Sequence, residues 1–218
     1  MRHFIDVIKE VPEIIFDIGS RDGAESVTLA ECYPDANIYS FECNPATTPL
    51  LVEKSQRYPN IHPVLKAVND FSGKCTFRPI NAEKSISSWE DKNPGASSLL
   101  RISENYPSDK LVQDEIEVEC IRLDKFCTDN KIEKIDVIWM DVQGAEMIAL
   151  KSLGKLLATV KYICLEVSFR EMYKGQCMFR EVHEYMTNNG FTLINSDETF
   201  ERERDNYFQT DAIYKSNK

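Results

Sequence analysis

The sequence is poor in the residues and patterns that several kinds of functional site require. It has only three histidines, His3, His62 and His183, and none of its seven cysteines forms a C-x-x-C pair. It has no cluster of lysines and arginines typical of a nucleic-acid-binding face, and no apolar run approaching the roughly 20 residues of a membrane-spanning helix. These absences argue against a zinc site, a polynucleotide partner and a membrane span.

The charge balance agrees with this reading. The chain has 36 acidic and 26 basic residues, and its formal net charge is −10 at pH 7. A phosphate backbone is attracted by lysine and arginine, so nucleic acid is not the expected partner. The 218 residues are 42% hydrophobic, which is enough to fill the core of one domain, so we expect a single domain over residues 1–218.

The cysteines and the N-terminal residues indicate the cellular compartment in which the protein is expected. The cysteines are odd in number and scattered, and several lie inside apolar runs, which predicts reduced core thiols and no disulfide framework. The start, MRHFIDVIKEVPE, is too charged for a secretory signal peptide. We therefore expect a cytoplasmic protein, and a homo-oligomer is one of the states open to it.

Short apolar runs alternate with helical stretches along most of the chain. Strands are predicted at 13–18, 37–43, 61–68, 134–141, 160–167, 191–195 and 207–215. Helices are predicted at 24–33, 46–57, 145–157 and 177–189. This alternation is typical of an α/β domain with a doubly wound, mostly parallel sheet, whose ligands bind beyond the carboxyl ends of the strands.

The middle of the chain interrupts this rhythm. A β-segment at 73–81 and a strictly alternating segment at 115–120 enclose a polar stretch over about 82–112. A loop of that length inside a compact domain usually serves binding or covers a site. We expect residues 82–112 to form a lid over the molecule on which the protein acts, which would be a small molecule or a saccharide.

The turn after the first strand carries the most specific signal. It reads FDIGSRDG over residues 16–23, with Gly19 and Gly23 but with Arg21 where the dinucleotide fingerprint G-x-G-x-x-G has its second glycine. That missing glycine is the one that lets the backbone approach a pyrophosphate. Asp17 and Asp22 would also repel a phosphate, by roughly 1 to 4 kcal/mol per close pair at surface-like dielectric constants.

S-adenosylmethionine is a nucleoside that fits such a turn. It has no phosphate, and its sulfonium and ammonium groups suit carboxylates. Glu42 ends the second predicted strand, 23 residues after Gly19, where an acid can accept hydrogen bonds from both ribose hydroxyls. The turn therefore predicts S-adenosylmethionine as the cofactor, with Gly19 allowing close approach of the chain to its methionine part.

The chain resembles FkbM-type methyltransferases over about residues 13–215. The segments that carry the resemblance, in the family's order, are FDIGSRDG, FECNP, KAVNDFSG, GASSL, IRLDKF, IDVIWMDVQGAE and YICLEV. The strongest is DVQGAE at 141–146, similar to the family's D-V-E-G-A-E, with Gln143 in place of the second acid. The resemblance implies a class I methyltransferase fold, Rossmann-like with seven strands and an antiparallel last strand. It also implies S-adenosylmethionine-dependent methylation of hydroxyls, often on sugars.

The predicted cofactor-binding residues lie in the loops that follow the strands. They are Asp17, Gly19, Ser20, Asp22, Gly23, Glu42, Cys43, Asn44, Ala67, Val68, Ser98 and Asp141. The resemblance implies the places of Asn44 near the adenosine and of Ala67 and Val68 beside the adenine, and Ser98 belongs to the family-like GASSL element.

A hydroxyl acceptor needs a base, and the histidines are poorly placed for that role. Asp141 and Glu166 lie at or near the ends of the fourth and fifth strands of the main pattern, so we predict them as the catalytic residues. Asp141 could instead cap the following helix, and Glu146 could be either a site residue or an acid in a first helical turn. The two acids could also share a divalent cation, although no bound metal is expected.

Two other classes of function compete with methyl transfer to oxygen or nitrogen. They are a nicotinamide-dependent oxidoreductase and a non-catalytic nucleoside-binding module on the same fold.

A thermal-shift experiment separates the cofactor classes. We expect S-adenosylhomocysteine at a hundred times its dissociation constant to stabilise the chain by about 2.7 kcal/mol, and NAD to leave the midpoint unchanged. The reverse pattern would exclude the interpretation of the first turn.

Overall fold

The computed structural model describes residues 1–107, 110–195 and 208–218, except the side chain of Arg2. Its strands are β1 (Ile14–Ile18), β2 (Asn37–Phe41), β3 (Ile61–Val64), β4 (Ala67–Val68), β5 (Gly73–Phe77), β6 (Ile116–Ile121), β7 (Val137–Met140), β8 (Tyr162–Ser168), β9 (Phe191–Leu193) and β10 (Gln209–Ser216). Its α-helices are α1 (Arg2–Val7), α2 (Ala24–Cys32), α3 (Thr48–Ser55), α4 (Leu123–Asn130), α5 (Glu146–Ser152) and α6 (Phe179–Asn188). Two 3₁₀ segments cover Pro94–Ala96 and Gly154–Thr159.

Seven strands form the main sheet, in the order β3-β2-β1-β7-β8-β10-β9. The first five of these pair in parallel, whereas β10 runs antiparallel to both β8 and β9. The chain order reverses between β1 and β7, and ligands of doubly wound sheets bind at such a switch point. The predicted α/β fold with an antiparallel last strand is therefore confirmed.

A second, three-stranded sheet has the order β4-β6-β5. Its strands β5 and β6 fall in the β-segments predicted at 73–81 and 115–120, but the sequence did not predict a separate sheet. The single strand predicted at 61–68 is wrong, because the chain turns at Leu65–Lys66, where the Lys66 N–H donates to the Val64 carbonyl at 2.8 Å. The part before the turn pairs with β2, and the part after it pairs with β6. Helices α1 and α4 were also not predicted. Tyr207, the predicted first residue of the last strand, lies outside the described residues.

The sheet is buried on both faces, as expected for strands with continuous apolar runs. Side chains of β1 alternate between two clusters: Phe16 and Ile18 pack with α4, α5 and α6, whereas Ile15 packs with α1 and α2. Asp17 is on the same side of the strand as Ile15 by this alternation. None of the seven cysteines forms a disulfide. No helix among the described residues is both long and apolar enough to cross a bilayer.

The carboxyl ends of β1, β2 and β7 meet at Gly19. Its N–H donates to the Phe41 carbonyl at 2.9 Å, and the Asp141 N–H donates to the Ile18 carbonyl at 2.9 Å. Gly19 has a φ of 87°, and a Cβ atom added to it would lie 1.9 Å from the Asp141 carbonyl oxygen. The glycine is thus required by backbone crowding between β1 and the end of β7, before any ligand is considered.

We expect Gly19→Ala to destabilise the fold by about 2–5 kcal/mol, since overpacking adds to the cost of a left-handed alanine. The matched control is Gly190→Ala, because Gly190 has a φ of 83° but open space around the added atom. The control should lose only about 1–2 kcal/mol. Equal losses in urea unfolding of the two variants would contradict the crowding argument.

Candidate active site

A cavity of about 530 Å³ opens at the carboxyl ends of the central strands, at the switch point of the sheet. Ten of the predicted site residues line it: Gly19, Asp22, Glu42, Cys43, Asn44, Ala67, Val68, Ser98, Asp141 and Glu166. The structure therefore brings together residues from the loops after β1, β2, β5 and β7 and residues of β4 and β8 themselves. Asp17, Ser20 and Gly23 are not part of this lining.

Asp17 lies behind the wall of the cavity. Its side chain is buried and accepts a hydrogen bond from the Ser26 hydroxyl, which also lies 2.7 Å from the Ser40 hydroxyl. Burial raises the pKa of Asp17 to about 8, so the group is mostly neutral at pH 7. In this structure the Asp17 carboxyl joins β1 to α2 and is not among the groups that line the cavity.

Ser20 and Gly23, like Asp17, lie outside the cavity lining, where they support the turn after β1. The Ser20 hydroxyl donates to the Phe41 carbonyl at 3.1 Å. Gly23 has a φ of 78°, and a Cβ atom added there would lie 2.8 Å from Leu51 Cδ1 of α3. Both residues hold the shape of the turn and do not face the cavity.

Glu42 is fixed by the backbone around it. Its Oε2 accepts the Arg21 N–H at 2.7 Å, and its Oε1 accepts the Cys43 and Asn44 N–H groups at 2.8 and 2.6 Å. Burial raises the pKa of this carboxyl, and the three N–H donors oppose that rise. A carboxylate has about four acceptor positions, so roughly one is left for a ligand hydroxyl, fewer than the two that the sequence suggested.

Asp141 and Glu166 are joined by a glutamine that the sequence analysis did not assign to the site. The Gln143 amide nitrogen donates to Asp141 Oδ1 at 2.6 Å and to Glu166 Oε2 at 3.0 Å. The Tyr173 hydroxyl donates to Gln143 Oε1 at 2.7 Å, and the opposite amide orientation would set an oxygen against both carboxyls. Glu166 Oε1 accepts a further hydrogen bond from the Gln209 amide. A continuous row of polar groups thus forms one end of the cavity.

This row contains two carboxyls with altered acidity. Burial raises the pKa of Asp141 to about 6, although the Gln143 hydrogen bond opposes the rise. Burial, followed by the charge of Asp141, raises the pKa of Glu166 well above its usual range. A proton added to the pair is therefore held more readily by Glu166, and Asp141 is the better candidate for a base near neutral pH.

Glu146 serves the backbone of the loop. Its Oε1 accepts the Val142 and Gly144 N–H groups, each at 3.2 Å, and its carboxyl is buried outside the cavity lining. Burial raises its pKa to about 7. Among the described residues, no group of three or more histidines, cysteines and acids is arranged to hold a metal ion.

Part of the 82–112 stretch covers the cavity and is tied to the loops beneath it. The Ser98 hydroxyl donates to the Gln143 carbonyl at 2.7 Å, and the Asn44 amide donates to Ser97 Oγ at 3.2 Å. Trp89 and Tyr106 also line the cavity, and Trp89 is 57% exposed. Residues 108 and 109 of this stretch lie outside the described residues.

Gln143, Tyr173 and Gln209 are the site residues that the sequence did not assign to this row. Gln143 was visible only as a departure from a family motif, and Tyr173 only as one of two residues after β8, with Arg170, that could line the acceptor pocket. Gln209 gave no signal, because its place depends on the insertion of β10 beside β8.

Comparison with known proteins finds similar methyltransferases. A model of the methyltransferase FkbM domain matches residues 17–193. The 2-O-methyltransferase NoeI of Sinorhizobium fredii is 28% identical over 184 residues, covering 83% of this chain and 74% of NoeI. The hexuronic acid methyltransferase AglP of Haloferax volcanii is 24% identical over 192 residues, covering 88% of this chain and 70% of AglP.

Solved structures show the same fold. The methyltransferase FkbM of Methylobacillus flagellatus superposes with a TM-score of 0.58 at 11% identity, and the match covers 96% of this chain but 45% of that one. Aeropyrum pernix fibrillarin, solved with S-adenosyl-L-methionine bound, gives a TM-score of 0.51 at 13% identity, covering 94% of this chain and 67% of fibrillarin. At these identities the likeness establishes the fold alone.

We expect Glu42→Gln to weaken binding of S-adenosylhomocysteine about 10- to 100-fold in calorimetry, because the amide cannot accept from three N–H groups and a ribose hydroxyl as a carboxylate does. The matched control is Glu53→Gln on the exposed surface of α3, which should bind normally. Unchanged affinity of Glu42→Gln would remove Glu42 from the cofactor site.

Proposed function

The chain belongs to the FkbM methyltransferase family, and from that premise we propose that it transfers a methyl group from S-adenosylmethionine to a hydroxyl of a saccharide or related small metabolite. One observation carries the proposal: a single cavity joins the first turn and Glu42 to the half-buried carboxyl of Asp141. The predicted donor-binding and base positions therefore share one space. The nicotinamide-dependent and non-catalytic alternatives are not favoured, since the family and the relatives reported above are methyltransferases.

The lining suits a phosphate-free, positively charged nucleoside. Its acidic residues are Asp22, Glu25, Glu42, Asp141 and Glu166. Its cations among the described residues, Arg21 and Lys66, are already paired with Asp91 at 2.5 Å and Glu119 at 2.9 Å. A pyrophosphate would meet this acid excess without a free counter-charge, whereas a sulfonium and an ammonium would be attracted.

Each part of the cofactor has a candidate partner in the cavity wall. Glu42 would accept a ribose hydroxyl, Ala67 and Val68 would flank the adenine, and the backbone near Gly19 would run beside the methionine part. When bound, S-adenosylmethionine supplies an activated methyl group. The protein's main contribution is then alignment of the acceptor oxygen, which can lower a barrier by about 7–11 kcal/mol.

Asp141 is the proposed base. The Asp141 carboxylate would take the proton of the acceptor hydroxyl as the methyl group moves from sulfur to that oxygen, which leaves S-adenosylhomocysteine. Proton removal of this kind contributes typically about 10²- to 10⁴-fold. Gln143 holds the Asp141 carboxyl in place, and Glu166 holds Gln143 from the other side. Since the pKa of Glu166 is raised well above its usual range, a proton shared by the pair is held more readily by Glu166 than by Asp141.

The acceptor class is supported by the relatives and by the covering loop. NoeI is a 2-O-methyltransferase and AglP a hexuronic acid methyltransferase, so the first name specifies an oxygen acceptor and the second a sugar acid. We propose that residues 82–112 form the acceptor lid of one domain spanning 1–218, with Trp89 and Tyr106 facing the sugar. A cytoplasmic location remains part of the same proposal.

We expect Asp141→Asn to lower kcat about 10²- to 10⁴-fold while the affinity for S-adenosylhomocysteine stays within about twofold. The amide still accepts from Gln143, so the fold of the loop is kept. The matched control is Asp129→Asn, on the exposed side of α4, with full activity expected. Normal turnover by Asp141→Asn would mean that Asp141 is only a structural residue of the loop.

The pH profile of the unaltered chain tests the same role. The base must be ionised, so kcat/KM should rise with pH through about 6, the value to which burial raises the Asp141 pKa. The profile should be measured by labelled-methyl transfer between about pH 5 and pH 8. A flat profile across that interval would contradict proton removal by Asp141.

A further inference from the structure

We propose that the acceptor is an uncharged sugar unit, not a uronic acid, and that Gln209 is a residue that selects it. This inference rests on the proposed sugar-hydroxyl methylation and names the class of sugar. It starts from the polar row of Asp141, Gln143, Glu166 and Gln209 at one end of the cavity.

The four side chains of this row include no cation that could pair with a carboxylate on the acceptor molecule. Gln143 places Asp141 and Glu166 within hydrogen-bond distance of one amide nitrogen, so their carboxyls lie close together. Among the described lining residues, Arg21 and Lys66 are the cations, and each is held in an ion pair outside this row. A uronate placed beside Asp141 would therefore bring a third carboxyl to the pair and be repelled.

Three cations in or beside the 82–112 stretch belong to a different cavity. Arg78 and Arg101 both bind Glu115, at 3.1 and 2.7 Å. Together with Lys174 they line a separate cavity of about 360 Å³, and none of the three lines the cavity that contains Asp141. They are therefore not in position to neutralise a uronate at the site of methyl transfer.

Gln209 adds a preference for hydroxyl donors. Its amide nitrogen donates to Glu166 Oε1, which leaves its own carbonyl oxygen, Oε1, buried and without a hydrogen-bond partner among the described residues. A buried acceptor of this kind is stabilised by a donor. With the C6 group of the sugar placed beside Gln209 and the side chain rotated to expose this oxygen, the primary hydroxyl of a hexoside can donate to it, whereas the ionised C6 carboxylate of a uronoside has no hydrogen to donate. Charge and hydrogen bonding thus select the same class of acceptor.

Trp89 is consistent with such an acceptor. It lies in the covering stretch, lines the same cavity and keeps more than half of its surface exposed. An indole presents a broad apolar face, which can pack against the C–H face of a sugar ring without any charge on the ligand.

The test compares matched pairs of methyl glycosides, each a hexoside and the hexuronoside of the same configuration, in labelled-methyl transfer by the full chain. We expect kcat/KM to favour the uncharged member of any methylated pair by at least about tenfold, and added salt to reduce that ratio. Equal or greater kcat/KM for the uronosides would overturn the inference and leave sugar methylation intact. If no pair is methylated while S-adenosylhomocysteine still raises the unfolding midpoint, the proposed function fails, and this inference fails with it.

Two variants of Gln209 separate its selective role from a structural one. Gln209→Leu should raise KM for the hexoside at least about fivefold with unchanged affinity for S-adenosylhomocysteine, because the acceptor atom is lost. Gln209→Lys should reduce the preference over the uronoside at least about threefold, because it adds a cation beside Glu166. Gln56→Leu, at the exposed end of α3, is the matched control. If both Gln209 variants keep the ratio and the KM of the unaltered chain, Gln209 does not select the acceptor.

Discussion

The backbone of Gly19 lies against the main-chain carbonyl of Asp141 with no room for a side chain between them. This contact joins the two loops that the function needs, one from β1 and one from β7, at the point where the sheet reverses its strand order. Because the contact is between backbones, it does not depend on rotamers, and it fixes the start of both loops together. The cavity, the position of Glu42 and the position of Asp141 all follow from this junction.

Carboxyl groups placed around such a junction carry a cost, and the structure offsets it in two ways. Glu42 receives three backbone N–H groups, so its charge is stabilised by dipoles that the turn itself provides. Asp141 and Glu166 are not surrounded by three backbone N–H groups in this way. Instead, both carboxyls accept from the neutral side-chain amide of Gln143. A glutamate at position 143 would place a third acid against this pair, so the glutamine keeps the row from requiring further protons.

The sequence predicted the local features of this site better than the long-range ones. Strand ends carrying Glu42 and Asp141 could be located because apolar runs stop there and turn residues follow. The face of the sheet on which Asp17 lies was also readable in principle, since alternation along β1 sets it opposite to Phe16 and Ile18. The break between β3 and β4, and the arrival of Gln209 beside Glu166, depend on pairing with β6 and β8, which no local pattern specifies.

The 82–112 stretch that covers the cavity is held by the same loops that form the cavity floor. The binding positions of the cofactor and of the acceptor therefore depend on each other. Ser98 binds the carbonyl of Gln143, and Ser97 accepts from Asn44, next to the backbone that fixes Glu42. A movement of either loop would therefore be transmitted to the cover through short hydrogen bonds, since packed elements of this kind shift together. Cofactor side and acceptor side thus share one wall, and a change in the cofactor turn would alter the space left for a sugar. For this reason the identity of the acceptor depends on the whole rim of the cavity, and the polar row alone sets only its charge.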